Sequence, residues 1–299
     1  MRRQPAWSSV LIGLGLTLGV LDPAKVSAQP SPGWTLVVEA APGAPAHAVF
    51  VPARLREVVA AGEALDPAPV LVALHGLGDT GTKFAQPLLD QADAEGWIVL
   101  APTLAYGDWR ALSVAQDDIQ LGEQVLAEVD RLQNEVGDVP VATDRVRLFG
   151  FSRGGQLAHR LGLVHPDRVT DVVVFSAGTY TLPEDAPREI LPFGTADLAA
   201  YVGYPLDLDA LRHVHFLVGV GLLDSNPEDL PRAWDPIEGS TRVQRAERFV
   251  RALRAEGVPA DLRLFAGIGH DLTASMVGAA LGFLHDSPES DPSASDPET

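Results

Sequence analysis

The chain of 299 residues is 46% hydrophobic and 21% charged, which is typical of a folded globular protein and excludes an intrinsically disordered one. Its formal net charge of −18 predicts a surface that repels nucleic acid and anionic lipid headgroups, so that neutral or cationic substrates are accommodated more easily. The absence of cysteine from the sequence excludes disulfide bonds and thiolate metal sites.

Residues 1–28 have the pattern of a secretory signal peptide. Arg2 and Arg3 precede an apolar stretch at residues 10–21, which is too short to span a membrane comfortably. Residues 26–28 form a small-residue cleavage site. We therefore expect an exported protein, secreted or periplasmic, whose mature form has no membrane span; an uncleaved N-terminal anchor is the alternative. Export gives the acidic composition a second interpretation, because negative charge keeps an exported protein soluble.

Short apolar runs alternate with helical patterns along the rest of the chain. We expect the first two runs, at residues 34–39 and 48–51, to form an antiparallel pair. Further strands are predicted at residues 70–74, 97–100, 146–149, 172–175, 216–220 and 262–265, and helices at residues 84–95, 114–136, 153–164, 241–256 and 272–285. This alternation predicts an α/β protein with a mostly parallel, doubly wound sheet and helices on both faces. In such sheets the functional site lies beyond the carboxyl ends of the strands.

A glycine-rich loop at residues 75–79, His-Gly-Leu-Gly-Asp, follows the buried strand predicted at residues 70–74. A backbone N–H of such a loop can stabilise a developing oxyanion. We expect Leu77 to supply this N–H, with Gly78 as the alternative, and we expect Gly78 to contact the substrate. His75 is expected to brace the loop by hydrogen bonds and not to react.

The loop that follows the next strand carries two aromatic residues, Tyr106 and Trp109. An aromatic wall suits an acyl or aryl group of a substrate. We predict that Trp109 lies at the mouth of the site and binds substrate. Packing of Trp109 in the core is an equal alternative.

Residues 150–154, Gly-Phe-Ser-Arg-Gly, stand between a predicted strand and a predicted helix. This is the G-x-S-x-G pattern of a nucleophile elbow, in which side chains at Gly150 and Gly154 would collide with the neighbouring strand and helix. We predict that Ser152 is the nucleophile and that the backbone N–H of Arg153 is the second oxyanion donor. A structural serine on a glycine-flanked turn is the alternative.

Two later strands end in residues that can complete a catalytic triad. Asp224 follows the strand at residues 216–220, and His270 follows the last predicted strand in a glycine-containing turn. Histidine can take the proton of a serine hydroxyl and return it to a leaving group, and an aspartate fixes the histidine tautomer. Asp229 and Asp235 lie in the same acidic loop and are alternatives to Asp224. A surface-loop histidine is the alternative for His270.

The remaining segments fit a single domain at residues 29–285. Within it, residues 177–212 hold three of the four tyrosines of the chain. A short lid over the site and an ordinary packed connection both fit the length of this segment. Residues 286–299 are polar, acidic and rich in proline, which predicts a disordered tail.

With these motifs the chain resembles the α/β-hydrolases, and within them it is similar to secreted bacterial esterases of the polyhydroxybutyrate-depolymerase and phospholipase/carboxylesterase-like kind. The resemblance covers roughly residues 68–285, and the order Ser152, Asp224, His270 is that of this group and not of trypsin-like or subtilisin-like enzymes. It implies the α/β-hydrolase fold and a serine esterase that forms an acyl-serine. It implies only loosely whether the substrate is a small-molecule or a polymeric ester.

Two other functions remain open at this stage. A serine peptidase or amidase uses the same triad, although such enzymes usually add a substrate-anchoring domain or a carboxylate cluster. A non-catalytic binding protein is disfavoured by the intact order of the triad. The sequence has no phosphate loop, dinucleotide fingerprint or metal-ligand cluster, so we expect no cofactor, no metal and no nucleic-acid partner. It leaves the oligomeric state open.

Overall fold

The structure, a computed structural model, describes residues 33–184 and 190–287. The predicted signal peptide and most of the predicted tail lie outside these residues. The strands are β1 Leu36–Val38, β2 Ala46–Phe50, β3 Ala68–Leu74, β4 Ile98–Thr103, β5 Val141–Phe151, β6 Val169–Phe175, β7 His215–Gly221 and β8 Ala260–Phe265. The α-helices are α1 Ala53–Ala60, α2 Gly81–Ala85, α3 Leu89–Glu95, α4 Val114–Glu135, α5 Arg153–Val164, α6 Ala199–Val202, α7 Leu208–Leu211, α8 Asp235–Glu238, α9 Arg242–Ala255 and α10 Ala274–His285.

The strands form one sheet in the order β1-β2-β4-β3-β5-β6-β7-β8. β2 pairs antiparallel with both β1 and β4, whereas the remaining pairings are parallel. Every predicted strand occurs, and the predicted antiparallel pair is confirmed. The sheet is therefore the mostly parallel, doubly wound sheet that the alternation of strands and helices predicted.

The register brings the carboxyl ends of the central strands to one edge of the sheet. Leu74 at the end of β3 lies opposite Gly150, and Gly150 lies opposite Val174 near the end of β6. Val174 in turn lies opposite Val218 of β7. The loops that follow these strands therefore start close together, which is where ligand sites form in open α/β sheets.

Successive side chains of the central strands point into two separate apolar cores, one on each face of the sheet. On one face, Val72 and Leu148 belong to the core that α4, α5 and α9 cover. On the other face, Leu71 and Phe149 belong to the core that α2, α3 and α10 cover. Because both faces are buried, the central strands are apolar along most of their length. The predicted placement of helices on both faces is confirmed.

The helices differ from the prediction in one divided helix and in four short helices, α1, α6, α7 and α8, that were not predicted. The helix expected at residues 84–95 is divided into α2 and α3 by a 3-10 turn, Gln86–Leu88, that contains Pro87. Proline lacks a backbone N–H and its ring collides with the preceding turn, so an uninterrupted helix is excluded there. The short helix α1 was not predicted, although Leu55, Val58 and Val59 have the i, i+3, i+4 spacing of an apolar helix face; of these three residues only Leu55 is buried. Within the described ranges, no helix is long and apolar enough to cross a membrane.

The start of the segment at residues 177–212 packs closely against the domain, whereas Tyr201 and Tyr204 farther along it are 46% and 42% exposed. Residues 177–182 are buried, and Tyr180 stacks on Phe249 of α9 with ring centroids 4.6 Å apart. Tyr204 Oη lies 3.1 Å from Nδ1 of His165, at the end of α5 that is opposite to Ser152. The start of the segment is therefore a packed connection, and a lid formed by the rest of residues 177–212 stays a prediction.

Glu238, the last residue of α8, is buried beneath this connection. Its two carboxyl oxygens lie 3.2 and 3.1 Å from the backbone N of Tyr180. Burial raises the pKa of Glu238 from 4.5 to about 8, against the opposing effect of the nearby Arg245 guanidinium. Between these two values the native state keeps a proton on Glu238 that the unfolded state loses.

We therefore expect the stability of the protein to contain a contribution that is present below pH 4.5 and is lost as the pH rises toward about 8. The unfolded state binds fewer protons in this window, so the free energy of unfolding falls with rising pH by at most about 1.4 kcal/mol per unit. Glu238→Gln removes the titrating group. In urea unfolding at pH 5, 6, 7 and 8, this variant should gain stability over the wild type step by step.

The matched control is Glu57→Gln on the exposed side of α1, which should follow the wild type at every pH. A constant difference between Glu238→Gln and the wild type from pH 5 to pH 8 would contradict a buried, uncharged Glu238.

Candidate active site

The turn from β5 into α5 holds Ser152 in a strained backbone conformation. Its φ of 55° and ψ of −113° are unfavourable for a residue with a side chain. A Cβ at Gly150 would lie 2.2 Å from the carbonyl oxygen of Gly154, and a Cβ at Gly154 would lie 1.9 Å from that of Leu74. Both distances are far inside van der Waals contact, so the predicted collisions are confirmed and only glycine fits at these two positions.

A continuous chain of hydrogen bonds joins the three predicted triad residues. Ser152 Oγ lies 2.9 Å from Nε2 of His270, and Nδ1 of His270 lies 2.7 Å from Oδ2 of Asp224. An ionised carboxylate can only accept, so Nδ1 carries the ring proton and Nε2 accepts from the serine hydroxyl. This is the tautomer that a general base for Ser152 requires.

The structure brings Asp224 to the histidine, and it places the two alternative acids elsewhere. Asp224 follows β7 directly and is 4% exposed. Asp235 pairs with Arg245 at 2.9 Å, and Asp229 contacts Arg110 through its backbone carbonyl at 3.4 Å. Asp224 is the acid that comes first after the strand end, and it is the one of the three that contacts His270.

A buried arginine that the sequence analysis missed holds the other oxygen of Asp224. Nη1 of Arg242, the first residue of α9, donates to Oδ1 of Asp224 at 2.8 Å. The helix dipole destabilises a cation at a helix N-terminus. The position of Arg242 at the start of α9 therefore indicated a nearby acidic partner. The sequence does not identify that partner, because 18 residues separate the two side chains.

The loop at residues 75–79 lies beside the serine, as predicted. A Cβ at Gly76 would be 3.5 Å from Ser152 Cβ, and Leu77 lies at the surface next to Ser152. His75 braces the loop: its Nδ1 donates to the Gly76 carbonyl at 2.7 Å, and its Nε2 accepts from the N–H of Leu104 at 2.9 Å. Burial lowers the pKa of His75, which keeps the ring neutral for this pair of bonds.

Arg153 is the first residue of α5, where a backbone N–H has no acceptor within its own helix. Arg153 follows Ser152 directly, and Leu77 lines the same cavity as both of them. The roles of these two backbone N–H groups as oxyanion donors stay a prediction.

A cavity of about 220 Å³ opens beside the serine and is lined by Leu77, Trp109, Ser152, Arg153, Gln156, Gly178, Arg242 and His270. The predicted position of Trp109 is thus found, and the absence of a side chain at Gly178 lets the indole approach closely. Gln156, Gly178 and Arg242 were not predicted. A larger groove of about 760 Å³ around His165 and Tyr204 lies at the far end of α5 and lacks the triad.

Gly78 is not among the residues that line this cavity, and its contact with substrate stays a prediction. It is exposed and has a φ of 77°, a left-handed conformation that favours glycine in the turn after Leu77.

Comparison with solved structures identifies the fold. LpqC, a poly(3-hydroxybutyrate) depolymerase from Bordetella parapertussis, is 24% identical over 81% of this chain and 83% of its own, with a TM-score of 0.57. Poly(aspartic acid) hydrolase-1 from Sphingomonas sp. KT-1 is 18% identical over 87% and 98%, with a TM-score of 0.60. An S-formylglutathione hydrolase from Agrobacterium tumefaciens is 19% identical over 89% and 99%, with a TM-score of 0.56.

These likenesses show that the chain has the α/β-hydrolase fold, as the resemblance of its motifs implied. No family model matches the chain. No curated protein matches it in sequence either.

Proposed function

We propose that the protein is an exported serine hydrolase that cleaves carboxylic esters through an acyl-serine intermediate. The observation that carries this proposal is the hydrogen-bonded chain from Ser152 through His270 to Asp224 beside an open cavity. A serine hydroxyl is a weak nucleophile at neutral pH and needs such a base. Export rests on the pattern of residues 1–28 alone.

In the acylation step, Ser152 Oγ attacks the carbonyl carbon of the ester while its proton passes to Nε2 of His270. The carbonyl oxygen becomes an oxyanion, which the backbone N–H groups of Leu77 and Arg153 stabilise. Collapse of this intermediate breaks the bond between carbon and the alcohol oxygen, and the imidazolium returns the proton to the leaving alkoxide. Asp224 stabilises the positive imidazolium between these two proton transfers.

In the deacylation step, water takes the place of the alcohol. His270 accepts a proton from the water as its oxygen attacks the acyl-serine carbonyl, and a second tetrahedral oxyanion forms. The bond between carbon and Ser152 Oγ then breaks, and the proton on Nε2 returns to the serine. The products are one carboxylic acid and one alcohol, and the enzyme is regenerated.

The names of the similar structures support hydrolysis as the reaction class, since they describe a poly(3-hydroxybutyrate) depolymerase, a poly(aspartic acid) hydrolase and an S-formylglutathione hydrolase. The cavity also favours an ester over a peptide with a free amino terminus. Among its lining residues there is no aspartate or glutamate to bind an ammonium group. We therefore place a small-molecule or polymeric ester before a peptide as the substrate.

A panel of p-nitrophenyl esters and aminoacyl anilides, together with a fluorophosphonate label mapped by mass spectrometry, tests this proposal. We expect turnover of short esters at least about a hundredfold above that of the anilides, and a single label on Ser152. Labelling of another residue would overturn the mechanism. Turnover of anilides at the rate of esters would replace the esterase with an amidase on the same triad.

A further inference from the structure

Two of the residues that line the catalytic cavity are buried arginines. Arg153 is 1% exposed and Arg242 is 6% exposed, and both contribute to the surface of the cavity beside Ser152. Burying a guanidinium is costly unless its charge and its N–H groups find partners. The partners of these two arginines therefore indicate what the cavity can hold.

The charge of Arg153 is only partly balanced. Its Nη1 lies 2.6 Å from Oδ1 of Asp118, but Oδ2 of the same carboxylate lies 2.6 Å from Nη1 of Arg160. One negative charge thus serves two guanidinium groups, and one positive charge remains. The guanidinium of Arg153 stacks on the ring of Tyr106, with its carbon 4.7 Å from the ring centre. That contact favours a cation but adds no negative charge.

The two arginines bound to Asp118 differ in their remaining hydrogen bonds. Nε and Nη2 of Arg160 donate to the hydroxyls of Thr181 and Thr179 at 2.9 and 3.0 Å. Nε and Nη2 of Arg153 have no hydrogen-bond partner in the described part of the chain. The surplus donors are therefore those of the arginine that lines the cavity.

Arg242 has the same incomplete set of partners. Its Nη1 is bonded to Asp224, whereas its buried Nε has no hydrogen-bond partner among the described residues. Asp224 shares its charge with His270, which becomes positive during the reaction. Arg242 lines the cavity and is 6% exposed, so an acceptor that enters the cavity can reach its side chain, whereas the unpartnered nitrogens of Arg153 are buried and act on such an acceptor only through their charge.

The rest of the cavity wall carries no charge that could balance these arginines. Leu77, Trp109 and Gly178 are apolar, and the side-chain oxygen of Gln156 accepts from the hydroxyl of Thr179 at 3.2 Å. A positive patch thus lies inside a chain whose net charge is −18. A low-dielectric cavity strengthens such a local charge, while the acidic exterior acts at longer range and is screened by salt.

We infer that the cavity binds esters whose acyl chain carries a carboxylate, with Arg242 as the direct contact and Arg153 as a supporting charge. This inference rests on the proposed function and names the substrate class for it. The acyl chain stays attached to Ser152 between the two half-reactions. A carboxylate on this chain therefore remains in the cavity during both acylation and deacylation. A volume of about 220 Å³ suits a short chain such as a monoester of a small dicarboxylic acid.

The test compares two p-nitrophenyl esters with acyl chains of equal length, the monoester of glutaric acid and the ester of valeric acid. The measured quantity is the ratio of their kcat/KM values, anionic over neutral, at 0.15 M salt. We expect Arg242→Gln to lower this ratio about tenfold or more, as for loss of a charge-assisted hydrogen bond. The matched control, Arg251→Gln on the exposed side of α9, should leave the ratio unchanged.

The ratio separates substrate binding from support of Asp224. Loss of Asp224 positioning alone would slow both esters equally and leave the ratio at its wild-type value, which would overturn the inference. A second measurement does not depend on an Arg242 variant. Calorimetry with Ser152→Ala should show monomethyl glutarate binding at least about tenfold more tightly than dimethyl glutarate, and equal affinities would overturn the inference.

The failure of the proposed function has a different signature. An enzyme that turns over neither ester and takes no fluorophosphonate label is not a serine esterase, whatever the calorimetry shows. Turnover of the valerate ester with no preference for the anionic partner leaves the esterase standing and removes only the carboxylate site.

Discussion

Ser152→Ala should lower the turnover of a short p-nitrophenyl ester by about six orders of magnitude, to the rate of the uncatalysed background. The substitution deletes the atom that bonds to the acyl group, and Oγ is also the atom that lies 2.9 Å from Nε2 of His270. Initial rates and fluorophosphonate labelling measure the loss. Ser113→Ala, an exposed serine at the start of α4, is the control and should keep both activities.

A second variant at the same position separates chemistry from backbone strain. Ser152→Gly should be as inactive as Ser152→Ala, yet it should unfold at a higher temperature. Glycine adopts a φ of 55° with a ψ of −113° without steric conflict. Relief of about 1–3 kcal/mol of strain exceeds the cost of about 1 kcal/mol for glycine's extra freedom in the unfolded chain. Residual labelling in either variant would remove Ser152 from the mechanism.

The sheet was predictable because each of its strands contains a short apolar run, and in the central strands β3, β4, β6 and β7 this run is buried. The boundaries were less predictable. β5 begins at Val141, although only residues 146–149 were expected, because its first half is polar and only partly buried. Burial of that half depends on its neighbours in the sheet, β3 and β6, which local sequence does not identify.

The residues that contact one another in the site were predictable for a local reason. Ser152, Asp224 and His270 each follow the carboxyl end of a strand, and a parallel sheet brings such ends to one edge. Arg242 was missed because it reaches Asp224 from the N-terminus of a helix and not from a strand end. Gly178 was missed because its importance lies in the room it leaves for Trp109, which only the packed structure shows.

The role of Gly78 is ambiguous in the sequence for a different reason. A glycine in the oxyanion loop was expected to let the backbone approach the substrate, but glycine serves equally well where the chain must turn with a positive φ. Gly78 has a φ of 77°, so the second reason holds for it whether or not the first one does. Sequence alone does not separate these two uses of the residue.

Asp224→Asn should lower turnover of a neutral ester by about four orders of magnitude, the size of loss seen when a triad histidine is held in the wrong tautomer. Arg242 makes this outcome specific to the structure. A guanidinium can only donate, so the amide oxygen of an asparagine must face Nη1 of Arg242. The amide NH₂ then faces Nδ1 of His270, which has to accept, and the ring proton moves to Nε2, where it blocks transfer from Ser152.

Kinetics on three variants test this orientation. Asp229→Asn, an acid of the same loop without contact to His270, should retain the wild-type rate. In the double variant Asp224→Asn/Arg242→Met the amide is free to rotate, so that its oxygen accepts from Nδ1 and the productive tautomer returns. Turnover of the neutral ester should therefore rise by about tenfold or more above that of Asp224→Asn alone. If the double variant is slower than the single one, the orientation by Arg242 is wrong, whereas an active Asp224→Asn beside an inactive Asp229→Asn would move the acid of the triad along the loop.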